Sequence, residues 1–208
     1  MAKPGARVKV RDGETSPARQ RVVDAALETL KREGWAGTSA RAVAATGGFA
    51  QGLVFYHFGT VADLLIAALD ETARRRMDRY QAALAGVTTL PELLAVAGDV
   101  YREDLDSGHI KVLAELIAGS SSIPGLGAEI ARRTEPWITL VEETVERVVA
   151  DSPLAGLVPT KDLAFAVVAL YLGVELLTHL DGSRDRADSL FAAAGGLGTL
   201  LGPLVSGA

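Results

Sequence analysis

Residues 38–65 read TSARAVAATGGFAQGLVFYHFGTVADLL. Thr38-Ser39 is a helix-start signal, because a side-chain hydroxyl there accepts from an amide that has no partner inside the helix. A short helix follows to about Thr46, with Val43 as its main apolar anchor, and Gly47-Gly48 breaks it. A second runs from about Ala50 to Phe58, where Gly59-Thr60 ends it and caps the next. Two short helices about a tight glycine turn are the helix-turn-helix pattern. Aromatic residues are only 5% of the chain, yet Phe55, Tyr56, His57 and Phe58 stand in succession. Four adjacent rings on a helix must point in several directions, so this helix has both a packing face and a presented face.

Upstream, Ser16-Pro17 starts a helix in which Val22, Val23, Ala26, Leu27 and Leu30 recur at helical spacing, and Gly34 supplies the stop. Trp35 is expected to pack under this first helix. Downstream, a helix over about 61–84 has no internal breaker and joins the small unit to the rest as a rod. Further helices fit at about 90–106, 109–119, 126–150, 161–180 and 184–201, separated by turn-forming stretches. The fold class is all-α: a flexible basic arm over 1–15, a three-helix unit over 16–60, and a helical domain over 61–208. Of the rings, Val54's neighbour Phe58 is expected to join Val54 in the small core.

The net charge of −5 is unevenly spread. Residues 1–60 hold nine Lys/Arg against five Asp/Glu, a net of +4, and residues 61–208 hold twelve against twenty-one, a net of −9. A basic N-terminal unit on an acidic remainder suits a polyanionic partner. In a helix-turn-helix the second helix enters the major groove. Gln51 there can make paired hydrogen bonds to adenine, Gly52 allows close backbone approach, and Leu53 can meet a thymine methyl. Tyr56 and His57 suit phosphate oxygens, and Thr38 and Ser39 place amides and hydroxyls where a phosphate is favourable. Phe55 fits either the core or the DNA face.

This stretch, with RQRVVDAALETLKREGWAGTS before it, resembles the DNA-binding region of the TetR family of one-component repressors over about residues 16–70. Thr38-Ser39, Val43-Ala44, Gly47-Gly48-Phe49-Ala50, Gly52, Phe55-Tyr56-His57-Phe58 and Leu64 take the family's motif positions in register. The resemblance implies a homodimeric, ligand-released repressor of a pseudo-palindromic operator, with Thr38, Ser39, Arg41, Gln51, Gly52, Leu53, Phe55, Tyr56, His57 and Thr60 on double-stranded DNA. It also implies C-terminal helices that form both a dimer interface and a small-ligand pocket. Ala50, Phe55 and Val61 depart from the Ser, Tyr and Lys often found there, and each departure removes a phosphate contact. The alternative is therefore an all-α small-molecule-binding protein that has lost DNA binding.

In the acidic part, LAFAVVALYLGVELLTHL (163–180) and SLFAAAGGLGTLLGPLV (189–205) are nearly free of charge. Glu175 and His179 interrupt the first, and Ala and Gly dilute the second, so an antiparallel pair used for self-association near 161–180 and 184–201 is expected rather than a membrane hairpin. Tyr171, Glu175 and His179 fall at i, i+4, i+8 with Thr178 alongside. A carboxylate among Leu and Val needs a partner, for which His109, Tyr101, Arg102 and Trp137 are candidates. The ligand-binding set is thus Tyr101, His109, Trp137, Tyr171, Glu175, Thr178 and His179, with an interhelical or intersubunit hydrogen bond as the other reading, and the ligand is expected to be small and largely apolar. RRRMDR (74–79) reads as a solvated face. With no cysteine and three histidines, no metal site or cofactor is expected, no catalytic set is visible, and no enzyme activity is expected. The basic N-terminus lacks an apolar run behind it, which sets the expectation of a cytoplasmic protein.

Overall fold

The computed structural model describes residues 16–107, 109–121, 125–153 and 155–205. The N-terminal arm lies outside the described residues. α1 (Pro17–Gly37) begins as expected: Ser16 accepts from the Arg19 amide, Pro17 occupies the first turn, and Val22, Val23, Ala26, Leu27 and Leu30 are buried. Gly34 supplies the stop as expected: its backbone is non-helical and the chain kinks there. Its φ of 69° is left-handed, a conformation a side chain would oppose, and one further turn follows to Gly37. α2 (Ala40–Gly47) is capped by Ser39, which accepts from the Ala42 amide, and closes on left-handed Gly48. α3 (Gly52–Phe58) starts slightly later than the sequence suggests. α4 (Val61–Leu84) has Thr60 and Asp63 as a reciprocal cap: Thr60 Oγ1 accepts from the Asp63 amide and donates to its carboxylate.

Val22, Val23, Leu30, Val43, Val54, Leu64, Leu65 and Ala68 close one core, with Leu53 and Phe58 packed partly buried on it. Val112 and Leu116 from α6 (His109–Gly119) complete it, so the three-helix unit is seated on α6. Trp35 packs against this core, to which α1 contributes, and also joins the seat on α6. Its ring lies so close on Gly119 that an added Cβ would come within 2.3 Å, and its backbone amide donates to Glu115 Oε2 at 2.6 Å.

The remaining helices are α5 (Leu90–Ser107), α7 (Leu126–Arg132), α8 (Glu135–Val149), α9 (Thr160–Asp181) and α10 (Asp185–Val205). The single helix expected over 126–150 is two. Pro136 sits in the first turn of α8, and a proline deeper in a continuous helix would lose an amide hydrogen bond and clash with the preceding turn. α9 packs along α8 and α10 along α5, while α9 and α10 touch each other only slightly. α9 is long and apolar enough to cross a bilayer by length and composition. Phe165, Leu170, Leu177 and Leu180 on α9, and Leu197, Leu200 and Leu201 on α10, are exposed.

Candidate functional site

The presented side of α3 carries Gln51, Gly52, Phe55 and Tyr56, all exposed, with Tyr56 82% accessible. Nothing lies within 4 Å of a Cβ built on Gly52, so the backbone there is open to a partner. Ser39, Arg41 and Thr60 are exposed beside it, while Thr38 is half-buried and its hydroxyl donates to the Gly34 carbonyl. Phe58 turns inward, with the Arg19 guanidinium 4.7 Å from its ring centre. Two residues read as outward differ. Leu53 is half-buried against the core, because it lies one position from buried Val54 on a helix of seven residues. His57 is also half-buried, and its Nε2 is covered without a hydrogen-bond partner among the described residues. Phe55, left between core and DNA, is 47% exposed.

A second feature is a cavity of ≈ 480 Å³ among α4, α5, α6, α8 and α9. Its lining is chiefly Leu, Val and Ile, which is the usual character of a small-molecule site. Midway along it stands a buried polar cluster. Arg76 donates through Nε to Asp104 Oδ1 at 3.0 Å, and through Nη2 to Asp104 Oδ2, to Tyr80 at 3.0 Å and to Glu175 Oε1 at 3.3 Å. The Tyr80 hydroxyl donates to Asp104, and Tyr171 joins both, 3.0 Å from Tyr80 and 3.2 Å from Asp104. The Arg76 guanidinium also lies 5.1 Å from the Trp137 ring centre, within cation–π reach.

Burial sets the proton affinities here, modified by the neighbouring charges. It pushes the Glu175 carboxyl up to about 8 against the pull of Arg76. It also opposes ionisation of Asp104, but the Arg76 hydrogen bond and charge prevail and hold that carboxyl below its usual range. His109 is held neutral, down to about 3, by burial and by the charge of Arg76. A Glu175 value raised from 4.5 means stability that is complete below about 4.5 and lost as pH climbs through about 8. The depressed His109 acts below 6.5, losing stability as pH falls toward 3. Between pH 6.5 and about 8 the Glu175 effect therefore stands apart from that of His109. The melting temperature is expected to fall across that window, and Glu175→Gln, which keeps the shape without the charge, is expected to flatten the slope in thermal scans.

The structure separates the seven residues taken as a ligand set. His109, Trp137 and Tyr171 line the cavity. Tyr101 and Thr178 instead hydrogen-bond each other at 2.5 Å, and Glu175 lies behind Arg76, outside the lining. His179 is exposed. Eight residues turn a helix by about 80° beyond two full turns, so a stripe that starts at Tyr171 has left the interior by His179. The partner of Glu175 is Arg76, not His109, Tyr101, Arg102 or Trp137, and Arg102 pairs with Asp99 on the surface. Arg76, Tyr80 and Asp104 are the cluster residues that sequence reasoning missed. Arg74, Arg75 and Arg79 are exposed as the basic run suggested, but Arg76 is only 7% accessible. The signal was there in the spacing: Leu65, Leu69, Arg76, Tyr80 and Leu84 share one side of α4.

The chain thus sets a helix-turn-helix unit on a helical domain that carries an apolar cavity. Residues 22–68, which span most of the three-helix unit, match the family model of bacterial regulatory proteins of the tetR family. Solved regulators share the whole fold. The fatty acid degradation regulator FadR from Bacillus halodurans aligns with a TM-score of 0.74 at 16% identity, over 89% of this chain and 96% of that one. FadR from Bacillus subtilis, solved with stearoyl-CoA, gives 0.72 at 16% identity over 91% and 98%. The multidrug binding protein EbrR, complexed with imidazole, gives 0.62 at 28% identity over 92% and 97%. No curated protein matches the chain in sequence.

Proposed function

We propose that the protein is a homodimeric repressor that holds a pseudo-palindromic operator and leaves it when a small, largely apolar ligand fills the cavity. The observation that carries this reading is the exposed edge of α3, where Gln51, Gly52 and Tyr56 stand clear beside Ser39 and Arg41 while the opposite side of the helix closes the core. Two such helices in a symmetric dimer would meet successive major grooves about 34–36 Å apart. The exposed apolar side chains of α9 and α10 support the dimer, since large exposed apolar surface on a folded chain marks an association surface. Such a regulator works in the cytoplasm, where the DNA is. The solved neighbours hold ligands as different as stearoyl-CoA and imidazole, so the lining and not the fold decides what enters here.

Selection of bound duplexes from a random pool tests the reading. An inverted repeat is the expected result, with affinity that falls steeply as salt rises. Gln51→Ala is expected to cost about 1–3 kcal/mol and to relax preference at one position of each half-site. If selection returns no repeat and no duplex shows salt-dependent binding, the departures at Ala50, Phe55 and Val61 have abolished DNA recognition, and the chain is a ligand-binding protein only.

A further inference from the structure

The cavity runs lengthwise along α4. One end is walled by Leu69, Ile117 and Ile130, the other by Leu84, Val149 and Val158. The ends are kept in register by Arg133, which pairs with Asp70 at the first, and by Arg147, which donates to the Leu84 carbonyl at the second. From Leu69 to Leu84 the helix rises about 22 Å. Spread over that length, ≈ 480 Å³ makes the cavity long and narrow.

The charges in the wall are already matched. Arg76 faces Asp104 and Glu175, Arg79 reaches Glu103 and Asp104 from the surface side, and Arg133 holds Asp70 and Glu129. A ligand carboxylate at Arg76 would compete with ionised Asp104 for one guanidinium, in surroundings whose burial already keeps Glu175 protonated. A ligand ammonium would meet that guanidinium directly, with Glu175 behind it and Asp104 already taking hydrogen bonds from Arg76, Tyr80 and Tyr171. Of two threonines also in the lining, Thr134 donates to the Ala131 carbonyl of α7 and Thr144 to the Leu140 carbonyl of its own helix. One donor left over is Nη1 of Arg76, since the hydrogen bonds of that group to Asp104, Tyr80 and Glu175 run through Nε and Nη2.

Resting on the reading of this cavity as the effector site, we infer that its ligand is an uncharged, unbranched single-chain lipid, such as a long-chain alcohol or ester, with its oxygen accepting from Arg76. From carbon–carbon bond geometry the tube holds about 16 carbons end to end. A charged head would have to be desolvated without a counter-ion of its own, which is why it is excluded.

The test is direct binding to the purified full-length chain without DNA, read by tryptophan fluorescence, because Trp137 lines the cavity. The probes are straight-chain alcohols of increasing length, together with the carboxylate and the ammonium of matched length. Affinity is expected to tighten about fourfold per added methylene until the tube is full, and then to stop rising. Both charged probes are expected to bind at least tenfold more weakly than the alcohol. Val149→Phe and, separately, Val158→Phe fill the far end and are expected to shift the optimum to shorter chains, with folding checked by circular dichroism. Val158 adjoins the turn before α9, so its variant guards against loss of folding in the first. Affinity that ignores chain length, a charged probe that matches or beats the alcohol, or an optimum unchanged in both variants overturns the assignment. If the alcohol binds as described but leaves a selected operator complex intact, the regulatory reading fails while the ligand class stands. If no probe binds while Gln51→Ala still weakens DNA binding, the ligand class fails and the DNA reading stands.

Discussion

Replacing Arg76 with Met is expected to lower the unfolding free energy by about 3–5 kcal/mol, as breaking a buried ion pair generally does. The guanidinium is the cation at the centre of the cluster for Asp104, which is fully buried, and for Glu175, which is 1% accessible. Removing it leaves one ionised carboxylate and one carboxyl in a medium that solvates neither, and takes donors from Tyr80 as well. Urea unfolding of Arg76→Met beside Arg75→Met measures the difference. Arg75 is exposed and pairs with Glu71 and Asp24 at the surface, so its loss is expected to stay within about 0.5 kcal/mol. Adding Asp104→Asn to Arg76→Met is expected to recover part of the loss, because the orphaned charge goes with it. Equal costs for the two single variants would mean that the buried cluster does not stabilise the fold.

The second large effect concerns association. Leu177→Glu with Leu200→Glu places charge on two residues that are 66% and 74% accessible in the single chain. Since neither is in the core, the protomer is expected to keep its fold and helical content. In analytical ultracentrifugation the wild-type chain is expected to sediment as a dimer and the double variant as a monomer. Operator affinity at equal chain concentration is expected to fall at least about 100-fold, the usual gain from tethering two half-site contacts being 10²–10⁴. A variant that still sediments as a dimer would move the interface elsewhere. A monomer that retains full operator affinity would remove the need for symmetry.

Most of the architecture was legible because helices announce themselves by period and punctuation. The α4 limits, Val61–Leu84, and those of α6 coincide with the sequence expectation. The exception is the break before α8, where Pro136 stood unread inside an otherwise periodic stretch. The presented helix was legible as a motif, but not the half-turn of Leu53 toward the core or the covered nitrogen of His57. Those depend on how a helix of seven residues is tilted against α1 and α4, and no local pattern encodes that tilt. The cavity was less legible still. Glu175 was seen to need a partner, but its partner lies 99 residues away and was disguised by three exposed arginines beside it.

α6 has one property that neither half of the molecule shows alone. His109, Leu113 and Ile117, spaced every fourth residue, form part of the cavity wall. Val112, Glu115, Leu116 and Gly119, on its other flank, hold the core of the three-helix unit, the Trp35 amide and the Trp35 ring. The same eleven residues are therefore both partition and axle. Gly119 offers no side chain to cushion the indole, so a roll of the helix is passed to the end of α1 at full amplitude. Gly34, one residue before that indole, is where the backbone can yield. A turn of that one helix would therefore be felt at the cavity wall and at Trp35 together.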